Sequence, residues 1–204
     1  MGRPPSTSRR AIELVALRLF AEQGFEATTV DDIAAQAGVS RRTFFRYFPA
    51  KNAVLFGAFA DEITTIRRLL AAAPPGEPVM VAVRHAVVAA NRYRPDDLPE
   101  LRTRIDLLGT VPALQAAAAL HYAAWEEAIS EFVAGRTGLA PTDLLPLSAG
   151  RATLAVCRSA YDCWVQRADR DLPWYLDAAL QALAAGFELP EPGEPPAGRP
   201  GGTG

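Results

Sequence analysis

Apolar residues recur at helical rather than alternating spacing along almost the whole chain. Between residues 8 and 23, Ile12, Val15, Ala16, Leu19 and Phe20 share one helical face, and Gly24 follows as a stop. Thr29 and Asp32 stand three apart ahead of Ile33, Ala34 and Ala37, the pattern of a capping box opening a very short helix that Gly38 ends. Ser40 is placed to cap a third short helix bearing Phe44, Tyr47 and Phe48, and Pro49 closes it. A fourth helix starts near Lys51, runs through Val54, Leu55, Ala58, Phe59, Ile63, Ile66 and Leu70, and is broken by Pro74-Pro75-Gly76. The pattern predicts five more over residues 78–93, 98–109, 112–135, 142–168 and 174–186. The breaks between them fall at Pro95, Gly109 to Pro112, Gly138 to Pro141 and Leu172-Pro173. Val, Ile and Thr nowhere alternate between hairpin turns, so sheet is not expected. The fold class is therefore all-α, with about nine helices. Residues 188–204 are rich in Pro and Gly, hold little to bury, and are expected to be a disordered tail.

The second and third helices, joined at Ala37-Gly38-Val39, form a helix-turn-helix. Gly38 supplies the left-handed backbone of the turn, and Val39 plugs the angle between the helices. Helices this short are unstable alone, so they must pack on the helix at 8–23 through Ile33, Phe44 and Phe48. That leaves Arg41, Arg42, Thr43, Arg46 and Tyr47 on the outer face of the third helix. In helix-turn-helix proteins the N-terminal residues of the second motif helix meet base edges in the major groove, and the arginine fork matches guanine O6 and N7. Backbone N–H groups at the start of the second helix, with the hydroxyls of Thr28 and Thr29, are placed to take phosphates. Lys51, beside a positive helix end, reads as a phosphate anchor, and Arg3, Arg9 and Arg10 as a short flexible arm.

Composition supports this locally. The net charge of −2 divides into +3 over residues 1–60 (eight Lys+Arg, five Asp+Glu) and −5 over residues 61–204 (thirteen against eighteen). A basic N-terminal lobe on an acidic body is what local phosphate binding needs. Arginine outnumbers lysine twenty to one, the single lysine being Lys51. No apolar run is long enough to span a membrane and no secretory signal opens the chain, which implies a cytoplasmic protein. Cys157 and Cys163 lie six apart, about 120° around a helix, too far for a metal pair or local disulfide, and read as reduced core thiols. No metal or cofactor is expected. His85 and His121 sit on separate helices, with no nucleophile elbow and no Gly-rich phosphate loop, so an enzyme is not expected. A helical protein-interaction module, or an activator on the same scaffold, is the alternative.

The stretch from Ala21 to Lys51 resembles the N-terminal domain of the TetR family. It carries Gly24-Phe25, the Thr29 cap, Ala37-Gly38-Val39-Ser40, the aromatic helix from Phe44 to Phe48, and Lys51. The resemblance implies a homodimer in which residues 1–50 bind a palindromic or pseudo-palindromic operator through Thr28, Thr29, Ser40, Arg41, Arg42, Thr43, Phe45, Arg46, Tyr47 and Lys51. Residues 51–187 form the regulatory domain. One departure is Phe45, where the family often has a tyrosine and its phosphate-binding hydroxyl. Leu108 to Leu114 and Tyr122 to Trp125 look like the branch of TetR-type regulators encoded with mycofactocin biosynthesis. The expected function is that of a repressor released by a small apolar effector such as an acyl-CoA. Met80, His85, His121, Tyr122, Trp125 and Tyr161 are candidates for the effector pocket, with Trp164 nearby. Ala152, Val156, Ala160, Leu176, Ala179, Leu180 and Leu183 are candidates for the dimer interface.

Overall fold

A computed structural model describes residues 8–167 and 169–187. Among them it shows nine α-helices and no strand. These are α1 (Arg9–Gln23), α2 (Val30–Gln36), α3 (Arg41–Tyr47), α4 (Gly57–Ala71), α5 (Val79–Ala90), α6 (Leu98–Thr110), α7 (Pro112–Thr137), α8 (Leu144–Arg167) and α9 (Leu172–Ala184). Two 3₁₀ turns, Lys51–Leu55 and Pro95–Asp97, lead into α4 and α6.

Local chemistry explains most boundaries. The Ser8 hydroxyl accepts from the Ala11 amide and starts α1, so Arg9 and Arg10 belong to a helix, not to a flexible arm. The expected arm residue Arg3 and the expected tail lie outside the described residues. Thr29 and Asp32 form a full capping box on α2, and Ser40 caps α3. Gly38, at φ +65°, adopts the left-handed conformation the turn requires, and the amide of Val39 reaches back to Ala34 O at 2.9 Å. The expected fourth helix begins instead as the 3₁₀ turn at Lys51–Leu55, with regular α-geometry only from Gly57. Pro173, expected in a break, lies in the first turn of α9, where Asp171 caps the Trp174 amide at 3.0 Å and no donor is lost.

Two cores result. The first gathers Ile12, Ala16 and Phe20 of α1 with Ile33, Phe44 and Phe48, all nearly inaccessible to solvent. Each isoleucine or phenylalanine among them contributes about 1.5–3 kcal/mol of burial. This core does not stop near residue 50. It takes in Val54, Leu55 and Phe56, then Leu107 and Leu108 of α6 and Leu114 and Ala118 of α7. The second core joins α4 to α9 through residues such as Ile66, Val87, Trp125, Ile129, Trp164 and Leu176. Here α7 and α8 approach closely because position 150 is glycine. A Cβ there would lie 2.6 Å from the Glu126 carbonyl and against Ser130 Oγ.

Candidate nucleic-acid interface and ligand cavity

With Phe44 and Phe48 drawn into the first core, α3 turns its opposite face to solvent. Arg41, Arg42, Phe45 and Arg46 are exposed there, and Phe45 keeps 43% of its surface accessible. Arg42 has no partner among the described residues. Arg41 is engaged: Nη1 donates to Asp31 Oδ2 at 2.8 Å, and its guanidinium lies 5.5 Å from the Phe45 ring. Arg46 lies over Tyr47 at 5.0 Å and donates to its hydroxyl at 3.3 Å. Tyr47 is half-buried against the first core rather than fully outward. Ser40 and Thr43 hydrogen-bond each other through their hydroxyls at 3.0 Å on the exposed start of the helix. The Thr29 hydroxyl donates to Asp32, and the Thr29 bonds hold the Asp32 carboxyl below its ordinary range.

Two expected phosphate ligands face inward. Thr28 is fully buried, with its hydroxyl donating to Gly24 O at 2.8 Å and Leu19 O at 3.3 Å, so no phosphate reaches it. Lys51 Nζ donates to the carbonyls of Phe25 at 2.6 Å and Thr28 at 2.9 Å, and sits 4.1 Å from the Phe25 ring centre. The ammonium thus bolts the α1–α2 connection to the 3₁₀ turn, because two carbonyls and an aromatic face surround it. What the sequence reading missed is Asp31, the carboxylate that occupies Arg41.

In the body, a cavity of about 90 Å³ lies among α4, α5, α6, α7 and α8. Of the expected lining residues, Tyr122, Trp125 and Tyr161 do face it. Three others do not. His85 is exposed on the outer side of α5 and bonds Glu77 at 2.8 Å. Met80 packs at the margin of the second core. His121 stacks on Phe56 at 4.3 Å and 14°, and burial lowers its pKa. Helical spacing placed these side chains on a helix but could not tell which wall each would meet. Trp164 is core, covered by the Arg102 guanidinium at 4.2 Å.

The cavity walls are less apolar than expected. Glu62 Oε1 accepts from Trp125 Nε1 at 3.2 Å and Asn91 Nδ2 at 3.4 Å. Tyr161 donates to Asn91 Oδ1, and Tyr93 bonds Tyr161 in turn. Burial pushes the Glu62 carboxyl up and the Tyr93 and Tyr161 phenols up with it. Arg104, also in the lining, binds Glu100 at 2.9 Å and Glu13 across on α1. Glu62 and Arg104 left a trace in the sequence: each interrupts an apolar stripe, Phe59 to Ile66 and Leu101 to Leu108.

Residues 14–58 match the pattern of bacterial regulatory proteins of the tetR family, and residues 77–188 match the MftR C-terminal domain. The chain is 36% identical over 188 residues to the candidate mycofactocin biosynthesis transcriptional regulator MftR of Mycobacterium tuberculosis, covering 92% of this chain and 95% of that one. The chain belongs to the TetR family. Its activity is therefore transcriptional regulation, not catalysis. Another TetR-type relative is the regulator TcmR of Streptomyces glaucescens, 30% identical over 180 residues, 85% of this chain and 76% of that one. The fold matches the crystal structure of Thermus thermophilus FadR, a TetR-family repressor in complex with lauroyl-CoA, with a TM-score of 0.57 and 30% identity over 96% of this chain and 100% of that one. No helix among the described residues is long and apolar enough to cross a membrane.

As a TetR chain, this one leaves one side of α8 and α9 uncovered. Ala152, Val156, Ala179 and Leu183, expected at a dimer interface, are partly accessible there. Ala160, Leu176 and Leu180 are not: they are buried within their own chain, in the second core. The expected set is therefore split, three of its seven residues packing inward and four lying toward the uncovered side. The outer faces carry Ser148, Ala155 and Ser159 on α8, and Trp174, Ala178 and Gln181 on α9.

Proposed function

We propose that this TetR-family regulator is a cytoplasmic repressor that binds a two-fold-symmetric operator as a homodimer and leaves it when an acyl-chain effector enters the cavity. Residues 1–50 would read DNA and residues 51–187 would regulate and dimerise. The observation that carries the DNA part is α3 itself, whose Phe44 is buried while Arg41 and Arg42 stand outward at its capped end and Arg46 in its last turn. Phosphates are then taken by the first turn of α2, by Ser40 and Thr43, and by Tyr47, with Phe45 giving apolar contact. The outer faces of α8 and α9, including Ala152, Val156, Ala179 and Leu183, support pairing of two copies. The likeness to MftR supports a place among mycofactocin-related genes.

The effector part rests on Tyr122, Trp125, Leu101, Leu108 and Leu154 around a cavity with polar groups at its walls. At about 90 Å³ it is far below the roughly 300–1,000 Å³ of an occupied small-molecule site. An acyl chain must therefore displace packed walls, and that displacement is what DNA binding can sense. A gel shift with DNA from upstream of the chain's own gene tests both parts. We expect a specific complex that Arg42→Ala weakens and that acyl-CoAs of sufficient chain length dissolve. Indifference to every duplex at low salt would refute the DNA reading. A complex unmoved by acyl-CoAs of any length would refute the effector reading.

A further inference from the structure

Among the residues lining the cavity, Arg104 also holds the N-terminal unit. It is 5% exposed, and its Nη2 donates both to Glu100 on its own helix and to Glu13 on α1. Glu13 is likewise buried, at 7% exposure. The guanidinium is incompletely satisfied: its Nε is buried with no hydrogen-bond partner among the described residues. An arginine carries five donors, so a buried one with an orphaned N–H is open to a further acceptor. Burial also pushes the Glu13 carboxyl up in spite of Arg104, so the carboxylate is not held tightly in its charged form. Glu13 has a second cation in reach, Arg10 Nη1 at 3.8 Å, which itself binds Glu100.

We propose that Arg104 reads the head group of the effector and relays its presence to the DNA-binding unit. An acceptor oxygen, carboxylate or thioester carbonyl, seated in the cavity against Arg104 competes with Glu13 for the guanidinium. Glu13 then falls back to Arg10, and α1 loses its buried tie to α6. Because α2 and α3 pack on α1 through the first core, a loosened α1 shifts the recognition helix relative to its two-fold mate. The inference rests on the effector reading above and adds the ligand's chemistry: an apolar chain carrying an acceptor head, not a cationic or headless hydrocarbon. It also sets the direction. The Arg104–Glu13 pair belongs to the DNA-competent state, and by linkage whatever breaks it must favour ligand.

The test uses the full chain, a labelled duplex from upstream of its own gene, and three probes sharing a twelve-carbon tail: laurate, lauroyl-CoA and dodecyltrimethylammonium. Operator affinity is read by anisotropy. In the native protein, laurate and lauroyl-CoA should lower it and the cationic probe should not; release by all three alike would overturn the head-group reading. Glu13→Gln should lower operator affinity about fivefold or more with no ligand present, the range of typical couplings, and raise affinity for laurate by a similar factor. Unchanged operator and laurate affinities in that variant would overturn the relay. If Glu13→Gln fails to fold, the paired change Glu13→Met with Arg104→Met, which leaves neither charge alone, decides: it should melt cooperatively and laurate should change its operator affinity less than twofold. A full response in the paired variant would overturn the proposal. If no probe binds the native protein, the acyl effector reading fails, while the ligand-free comparison of Glu13→Gln with the native chain still judges the relay.

Discussion

The pairing of Arg41 with Asp31 makes an opposed prediction for stability and DNA affinity. In the unbound protein the two side chains meet at 2.8 Å but are 60% and 65% exposed, so water and salt screen them. Such a pair contributes about 0.2–1 kcal/mol. Asp31 also stands in the first turn of α2, where a negative charge against the helix dipole adds about 0.3–1 kcal/mol. Asp31→Asn should therefore destabilise the fold by roughly 0.5–2 kcal/mol. On DNA the sign reverses. Arg41 must leave Asp31 before its fork can meet a base, so removing the carboxylate spares that loss and tightens binding roughly 1.4- to 5-fold. The gain should shrink as salt rises, because the Debye length falls from about 10 Å at 0.1 M to about 3 Å at 1 M. Anisotropy titrations at two salt concentrations, with Arg41→Ala and the double variant completing the cycle, measure it. Unchanged or weaker binding by Asp31→Asn would mean that Arg41 keeps its carboxylate on DNA. An equal gain in the Arg41→Ala background would mean that Asp31 acts on phosphates generally rather than through Arg41.

Three further expectations follow from buried contacts. Gly150→Ala places a methyl group against the Glu126 carbonyl, so overpacking of about 1–3 kcal/mol should outweigh the better helix propensity of alanine and lower Tm in calorimetry. Lys51→Ala should lower Tm by removing the bolt to Phe25 O and Thr28 O, yet leave the salt slope of DNA binding unchanged; a slope smaller by about one unit would restore Lys51 as a phosphate ligand. Glu62→Gln should raise stability above neutrality. The folded carboxyl titrates above the unfolded one, so the stability it contributes is present below the ordinary glutamate value of about 4.3 and lost as pH rises through the raised one. Melting curves should then separate the variant from the native chain at high pH and merge at low pH.

How much of this was legible depended on how far apart the interacting residues lie. The Thr29–Asp32 box, the Ser40 cap, the left-handed Gly38 and the inward Phe44 and Phe48 are decided within a few residues, and reading the chain locally found each. Lys51 shows the opposite case. Its charge suggested phosphate, but its partners are carbonyls 26 and 23 positions earlier, and nothing local announces them. The Arg104–Glu13 pair spans 91 positions. Apolar periodicity found α8 and α9 yet misassigned Ala160, Leu176 and Leu180, because a stripe of small and branched residues serves an internal core as well as a second subunit. Charged residues inside apolar stripes were the better signal: Glu13, Glu62 and Arg104 all interrupt one, and Glu62 stands half-buried in the cavity wall while Glu13 and Arg104 form the buried link to α1.

The walls of the cavity are unequal in how readily they can move, and that inequality dictates where ligand-induced strain must go. On the α7–α8 side, Gly150 lets the two backbones touch and leaves no slack between them. On the other side α4 follows a 3₁₀ turn, begins at Gly57 without a side-chain cap, and supplies Ala58, Phe59 and Glu62 to the lining. Opposite it, α6 supplies Leu101, Arg104, Ile105 and Leu108. Leu108 belongs to the first core as well, as do Val54, Leu55 and Phe56 just ahead of α4. Expansion at the expense of α4 and α6 therefore cannot occur without disturbing the packing under α1 and α3, whereas expansion toward α8 would leave that core untouched. Hydrogen exchange with and without lauroyl-CoA should show altered protection in α4, α6 and α1, with α7 and α8 unchanged around Glu126 and Gly150. The opposite pattern, mobility confined to α8 and to α7 around Glu126, away from the Leu114 and Ala118 end that joins the first core, would sever the cavity from the DNA-binding face and leave no mechanical route for an effector to act.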